Sequence, residues 1–324
     1  MSKDTCKNEN AFDRNFIFSI VNFKNLYYLI VLMITYFLIG CNRTAVHPLQ
    51  YIDQERPQLT PKLFASGFIS TTEESEFGSV FTADGEEFYY GVDLDGKAEI
   101  RYTLIKDGRW QTPKTIISDT QYGYNDPFLS PDESRLYYIS NMPNNEQDTT
   151  GDHDIWYSVR DGNQWSSPIN AGGEINTDRN EYYISFTENG SMYFASHRDK
   201  ELKRKHDLDI YRSENIGGVF QAPVKLSDAI NSRGYEGDVF VAPDESYLIF
   251  SAARRSGLGR ADLYVSFKNE NDNWTDAVIL GPPISSANHE LCPVVTRDGK
   301  YFFYTSNQDI YWVSAEIINT YKTK

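Results

Sequence analysis

One pattern constrains the chain more than any other: it is written four times and begun a fifth. An acidic residue opens a short β-forming run, a polar turn follows, and an aromatic residue closes the unit, from Glu99 to Trp110, Asp154 to Trp165, Asp209 to Phe220 and Asp262 to Trp274. Asp309 starts the run again in "NQDIYW", but the chain ends before the matching aromatic. Upstream of each acid lies a second recurring element, a β-run, a tight turn led by Asp84, Asp132, Asn189, Asp244 or Asp298, and another β-run. Turn residues of this kind join adjacent antiparallel strands.

Each repeat therefore predicts four strands: a and b around the turn, c led by the acid, and d after the aromatic. The turn residues are 48, 57, 55 and 54 positions apart, a period near that of four-stranded propeller blades. Strands a and b carry apolar residues at adjacent as well as alternate positions, as expected where neighbouring sheets cover both faces. Five blades fit. The fifth lacks its own strand d, and "QLTPKLFAS" (58–66) has the character of strand d in "QAPVKL" (221–226). This predicts that the N-terminal segment completes the blade ending at Asp309 to Val313, closing the ring and leaving no exposed sheet edge. The expected fold class is all-β, a five-bladed β-propeller of four-stranded antiparallel blades closed by an N-terminal strand.

Before this body the sequence changes character. "LYYLIVLMITYFLIG" (26–40) is apolar, short for a membrane span, and preceded by basic residues such as Lys24, as in a secretory signal. It ends "LIGC", which resembles the bacterial lipobox and implies lipidation at Cys41; an uncleaved anchor helix is the alternative. The expected layout is a lipoprotein signal peptide over 1–40, a polar tether over 41–57, the propeller over 58–316 and a C-terminal tail over 317–324. Cys6 would leave with the signal and Cys41 would carry lipid, so Cys292 stands alone, with no disulfide partner, and is expected to pack as a small hydrophobe. The net charge of −15 argues against a nucleic-acid partner, which requires a basic surface.

The segments "LSPDESRLYYIS", "DHDIWYS" and "INTDRNEYYISF" resemble the WD40-like, TolB-like β-propeller repeat of bacterial envelope proteins, over roughly residues 60 to 314. The resemblance departs from the pattern at Glu99, where Asp is usual, and at the Asn189-Gly190 turn. TolB itself has six blades, which keeps six as the alternative count. The resemblance implies binding and scaffolding in the envelope more than catalysis, and fold analogy alone does not decide the role.

Eight residues before each turn residue stand Glu76, Tyr124, Glu181, Glu236 and Glu290. By the repeat they share one height at the start of the innermost strand, where four carboxylates could ring the channel mouth as a calcium site or a socket for a basic group. The other reading is a structural clasp, each Glu accepting N–H bonds from an adjacent loop. The acids of strand c, with Asp152 beside Asp154 and Asp207 beside Asp209, could supply oxygen ligands to calcium but do not continue into an EF-hand loop. No metal or other cofactor is expected.

Insertions concentrate in the b–c loops, and loops that vary on a fixed scaffold are common binding sites. Two are basic: "HRDKELKRKHD" (197–207) brings Arg198, Lys200, Lys203, Arg204 and Lys205, and "ARRSGLGRAD" (253–262) brings Arg254, Arg255 and Arg260. On an acidic protein these loops predict a patch for an acidic envelope protein or an anionic glycan. The sequence has no G-x-S-x-G elbow, no H-E-x-x-H helix and no phosphate-cradling glycine loop. The expectation is a monomeric, non-catalytic binding lipoprotein of the outer membrane, facing the periplasm or the cell surface. The alternative is a carbohydrate-active enzyme using carboxylates at the channel mouth.

Overall fold

The structure, a computed structural model, describes residues 51, 52, 54–145, 147–199 and 208–322. Cys41, Lys200, Lys203, Arg204 and Lys205 lie outside the described residues. The described chain is all-β, with five antiparallel sheets of the order a-b-c-d arranged as a five-bladed propeller. The innermost strands a are Ser75–Phe81, Tyr124–Leu129, Glu181–Phe186, Glu236–Val241 and Leu291–Val295. Strands c are Lys97–Lys106, Asp154–Asp161, Asp209–Ser213, Asp262–Phe267 and Asp309–Ser314, so the acid leads the strand in blades two to five and sits two residues inside it in blade one.

The ring closes through the N-terminal segment. Lys62–Leu63 runs antiparallel to the last strand c, pairing Lys62 with Trp312 and Leu63 with Tyr311. The backbone N–H of Phe64 donates to Ile310 and that of Ser314 donates to Gln58, extending the seam on both sides. Phe64 fixes the seam by packing: it is fully buried among Phe81, Phe88, Phe303 and Trp312, with ring centroids 5.0 to 6.0 Å away. Burying a side chain of this size stabilises the fold by roughly 1.5–3 kcal/mol, all of it spent here on holding two chain ends together.

The apolar core is a set of layers between blades. One cluster joins blades one and two through Tyr89, Ile100, Leu136 and Tyr138, the next joins blades two and three, and a third joins blades three and four. The largest spans blades four, five and one across the closure. This is why strands a and b read as nearly continuous apolar runs. The packed body also extends past both boundaries drawn from sequence. Tyr51, placed in the tether, is buried against Tyr301 and Trp312 and donates its hydroxyl to Asp298. Beyond the last strand, a short helix Glu316–Asn319 buries Ile317 and Ile318 in the same cluster.

Candidate functional site

The ring position is the natural starting point, and its side chains turn into the protein. Glu76, Glu181, Glu236 and Glu290 are all fully buried. Each is gripped by a hydroxyl residue in the loop that brings the chain from the preceding strand d. Thr71 donates its N–H and hydroxyl to Glu76, at 3.2 and 2.8 Å. Thr177 does the same for Glu181, at 3.0 and 2.9 Å, and Ser286 for Glu290, at 3.3 and 2.6 Å. Ser232 donates its hydroxyl to Glu236. Strand b adds Ser196 to Glu181 at 2.6 Å and Ser306 to Glu290 at 3.0 Å. Burial raises Glu76 and Glu236 above the ordinary carboxylate value and pushes Glu181 up to about 7, against the pull of these donors. Tyr124 fills the equivalent place in blade two, 4% exposed, with its hydroxyl near the Met142 sulfur.

Two of the expected patch cations belong to the same buried arrangement. Arg198 lies 3.8 Å from Glu181, donates to the carbonyls of Glu174 and Ile175, and stacks over Phe194 and Tyr211. Arg254 repeats this one blade on, 3.5 Å from Glu236, donating to Ile230 and covering Phe250 and Tyr264. Both are mostly covered, so neither displays its charge to a partner. Arg255 and Arg260 are exposed.

The channel axis is occupied by a position that the repeat arithmetic missed by two residues. Every strand a carries a β-bulge at Gly78, Asp126, Tyr183, Asp238 or Cys292, each with φ between 45 and 52°. A bulge kinks the strand and re-aims one side chain, and a positive φ at Tyr or Cys is a costly backbone state that persists only where surroundings fix it. Here the five bulges bring the axis residues together. The Cys292 thiol lies 3.4 Å from Asp126 Oδ1, although blades five and two are not neighbours in the ring. The Cys292 N–H donates to Asp238 Oδ2 at 3.3 Å, and the Tyr183 hydroxyl donates to the Pro293 carbonyl at 3.0 Å. A side chain on Gly78 would begin 3.0 Å from Asp126 Oδ1, so glycine lets blade two's carboxylate reach the axis. These contacts narrow the channel at its waist.

Burial, then the neighbouring Asp238 charge, raises the Asp126 carboxyl well above its ordinary value. Burial also raises Asp238, against bonds from the Cys292 N–H and the Tyr235 hydroxyl. Asp126 nevertheless retains some solvent-accessible surface while protein surrounds it, which fits a side chain lining a narrow passage rather than a dry core. Cys292 is buried as expected, but among carboxylates rather than hydrophobes, and burial holds it as the thiol.

On the b–c loop side of this waist the channel opens into a polar recess of about 540 Å³, lined by Asn125, Arg260, Asn288, His289, Asn307 and Gln308 among others. Asn125 and Leu291, each immediately before a bulge residue, line its walls. Burial and the Arg260 charge lower the His289 imidazole, which keeps it neutral and able to both donate and accept. Among the described residues no group of three or more His, Cys, Asp and Glu side chains is placed to hold a metal ion. The acids of strand c are held differently in each blade: Asp154 by Asn170, Asp209 by Lys225, and Asp262 by the N–H groups of Leu258 and Gly259.

No model of a known family matches the chain, and no curated protein matches it. Solved structures do. TolB from Acinetobacter baumannii is 15% identical with a TM-score of 0.47, over 76% of this chain and 56% of that one, so the chain spans little more than half of its length. A thermostable family-43 glycoside hydrolase is 14% identical with a TM-score of 0.49, over 74% of this chain and 88% of that one. The gluconolactonase XC5397 from Xanthomonas campestris is 12% identical with a TM-score of 0.49, over 82% and 96%. TolB propellers and propeller enzymes thus stand side by side among the similar structures.

Proposed function

We propose that the protein is a non-catalytic binding propeller of the bacterial cell envelope, held to a membrane by lipid on Cys41, which recognises a protein or anionic glycan through its b–c loop face. The observation that carries this reading is the polar recess at that face, where Arg260, His289 and the four amide residues Asn125, Asn288, Asn307 and Gln308 line one cavity, with Asp93 at its edge. Neutral donors and acceptors around one cation, Arg260, and one carboxylate, Asp93, suit hydrogen-bonding to a polyhydroxylated or carboxylated surface. Four carboxylates that a catalytic reading would recruit are bound by Ser and Thr donors instead.

Crosslinking in intact cells followed by mass spectrometry, comparing wild type with an Arg255→Glu, Arg260→Glu variant, tests the reading. A defined envelope partner that is recovered with wild type and lost with the variant supports it. The same partners from both, or none from either, would defeat it.

A second reading has its own observation. Asp126, one residue beyond the recess lining at Asn125, and Asp238 face the same Cys292 at the axis, with both carboxyls raised toward the range where an acid and its conjugate base coexist near neutrality. A glycan-cleaving enzyme could use such a pair. Release of reducing sugar from an envelope or plant polysaccharide panel, abolished by Asp126→Asn, would favour this over the binding reading.

A further inference from the structure

The opposite mouth of the channel, on the side of the a–b turns, is a funnel of about 380 Å³. Its wall takes Phe81, Phe128, Phe186, Phe240 and Val295, one residue from each strand a. Two of the wall's polar side chains are already engaged: the Thr187 hydroxyl donates to Asn189 and the Thr296 hydroxyl to Asp298, each within its own turn. The waist narrows the channel below the funnel. A cavity of this size with an aromatic wall fits a small apolar group, within roughly the 300–1,000 Å³ usual for ligand pockets.

The rim is polar and uneven. It includes Pro131, Glu188, Pro243 and Arg297, equivalent positions in blades two to five, each directly before the turn residue. Arg297 is exposed, and its guanidinium donates to the carbonyls of Ser130 and Pro131. Those bonds aim and hold the group at the rim without neutralising its charge. Among the described residues no carboxylate forms an ion pair with it. Glu188 stands on blade three, next to the blade whose carbonyls hold the Arg297 guanidinium.

We propose that this funnel binds a single-chain amphiphile of the fatty-carboxylate class, its tail among the phenylalanines and its carboxylate at Arg297. The apolar wall rewards a tail that has no hydrogen bonds to lose, and the rim cation rewards a negative head with a charge-assisted hydrogen bond. Glu188 repels the same head and so works against the pull of Arg297. Tyr51 packs on Phe81 and donates its hydroxyl to Asp298, next to Arg297 in sequence, which stiffens this side of the rim.

The probe is dodecanoate labelled with ¹³C at its carboxyl carbon, titrated by NMR into the full chain held in an amphipathic polymer. Saturable binding at one site per chain is expected. Arg297→Glu should weaken it about tenfold or more, since a hydrogen bond to a charged group contributes about 1.5–3 kcal/mol, while leaving binding of neutral dodecanol unchanged. Glu188→Lys, at an equally exposed position, should tighten dodecanoate binding. Absence of saturable binding, or an affinity that neither rim variant alters, overturns the proposal. Neither variant touches Arg255 or Arg260 on the opposite face, so the result is independent of the partner test.

Discussion

In blade three, Glu181, Arg198 and Thr177 meet in a buried polar clasp; in blade two, the equivalent places hold Tyr124, Met142 and Thr120, and the tyrosine hydroxyl faces the methionine sulfur at 4.0 Å. The loops that feed the two blades differ accordingly. In blade three Ile175 and Asn176 are buried, and Asn176 bonds both backbone groups of Ile155. In blade two the run Ser118, Asp119 and Thr120 is exposed. The carboxylate at the ring position therefore ties down the incoming loop, and where other bonds hold that loop, Lys97 to Thr120 and Gly123 to Asn141, a Tyr–Met pair fills the same space. Blade four repeats the polar version with Glu236, Arg254, Ser232 and Asn231. A residue whose partners change in concert from blade to blade is answering to its local packing.

The sharpest way to break the comparison is to remove one half of the polar clasp. Glu181→Ala strands the Thr177 and Ser196 hydroxyls and leaves the Arg198 guanidinium, 13% exposed, without its carboxylate. Buried donors without partners and a buried charge without its counterion together cost on the order of 3–5 kcal/mol. Chemical denaturation should show a loss of that size. A loss under about 1 kcal/mol would mean that the carboxylate is dispensable to the fold, and would revive its candidacy as a ligand.

Transplanting blade two's solution is the next test and carries a smaller net effect. The double change Glu181→Tyr with Arg198→Met removes the charge with its counterion and restores an apolar pair, so most of the loss should return, leaving a deficit of about 1–3 kcal/mol from imperfect packing. Each single change should be worse than the pair, with a coupling energy of about 0.5–3 kcal/mol in the double-mutant cycle. Additive single effects would show that the two positions act independently and that blade two is no guide to blade three.

The same arrangement explains which features could be read from the sequence. Blade number, strand order and the closing strand at residues 62–63 followed from spacing, because turn residues and strand-leading acids mark chain positions that every blade must repeat. The clasp was also within reach: Ile69-Ser70-Thr71, Ile175-Asn176-Thr177, Ile230-Asn231-Ser232 and Ile284-Ser285-Ser286 all precede a ring glutamate, and blade two lacks both the motif and the carboxylate. The axis was not within reach. Gly78, Asp126, Tyr183, Asp238 and Cys292 share no chemistry, since what they have in common is a bulged backbone imposed by the ring rather than by residue type. Arg198 and Arg254 misled for a related reason: a cation in a loop reads as exposed, and only the fold shows aromatic rings beneath it.

The axis supplies the mildest prediction, one that compares the waist with the clasps around it. Asp126 titrates higher in the folded protein than in the unfolded chain, because burial and the Asp238 charge disfavour its anion. From about pH 4 upward the unfolded chain releases this proton while the folded protein keeps it, so the native state binds more protons and stability falls as pH rises through the folded value. Asp238, raised by burial, and Glu181, raised by burial to about 7, contribute with the same sign. Asp126→Asn keeps the shape, removes one titrating group and relieves Asp238 of a neighbouring charge. Thermal melts of wild type and variant should therefore converge below about pH 4 and separate progressively toward pH 8, with the variant the more stable. Parallel melting curves across that interval would show that the carboxyl group is already ionised in the folded protein.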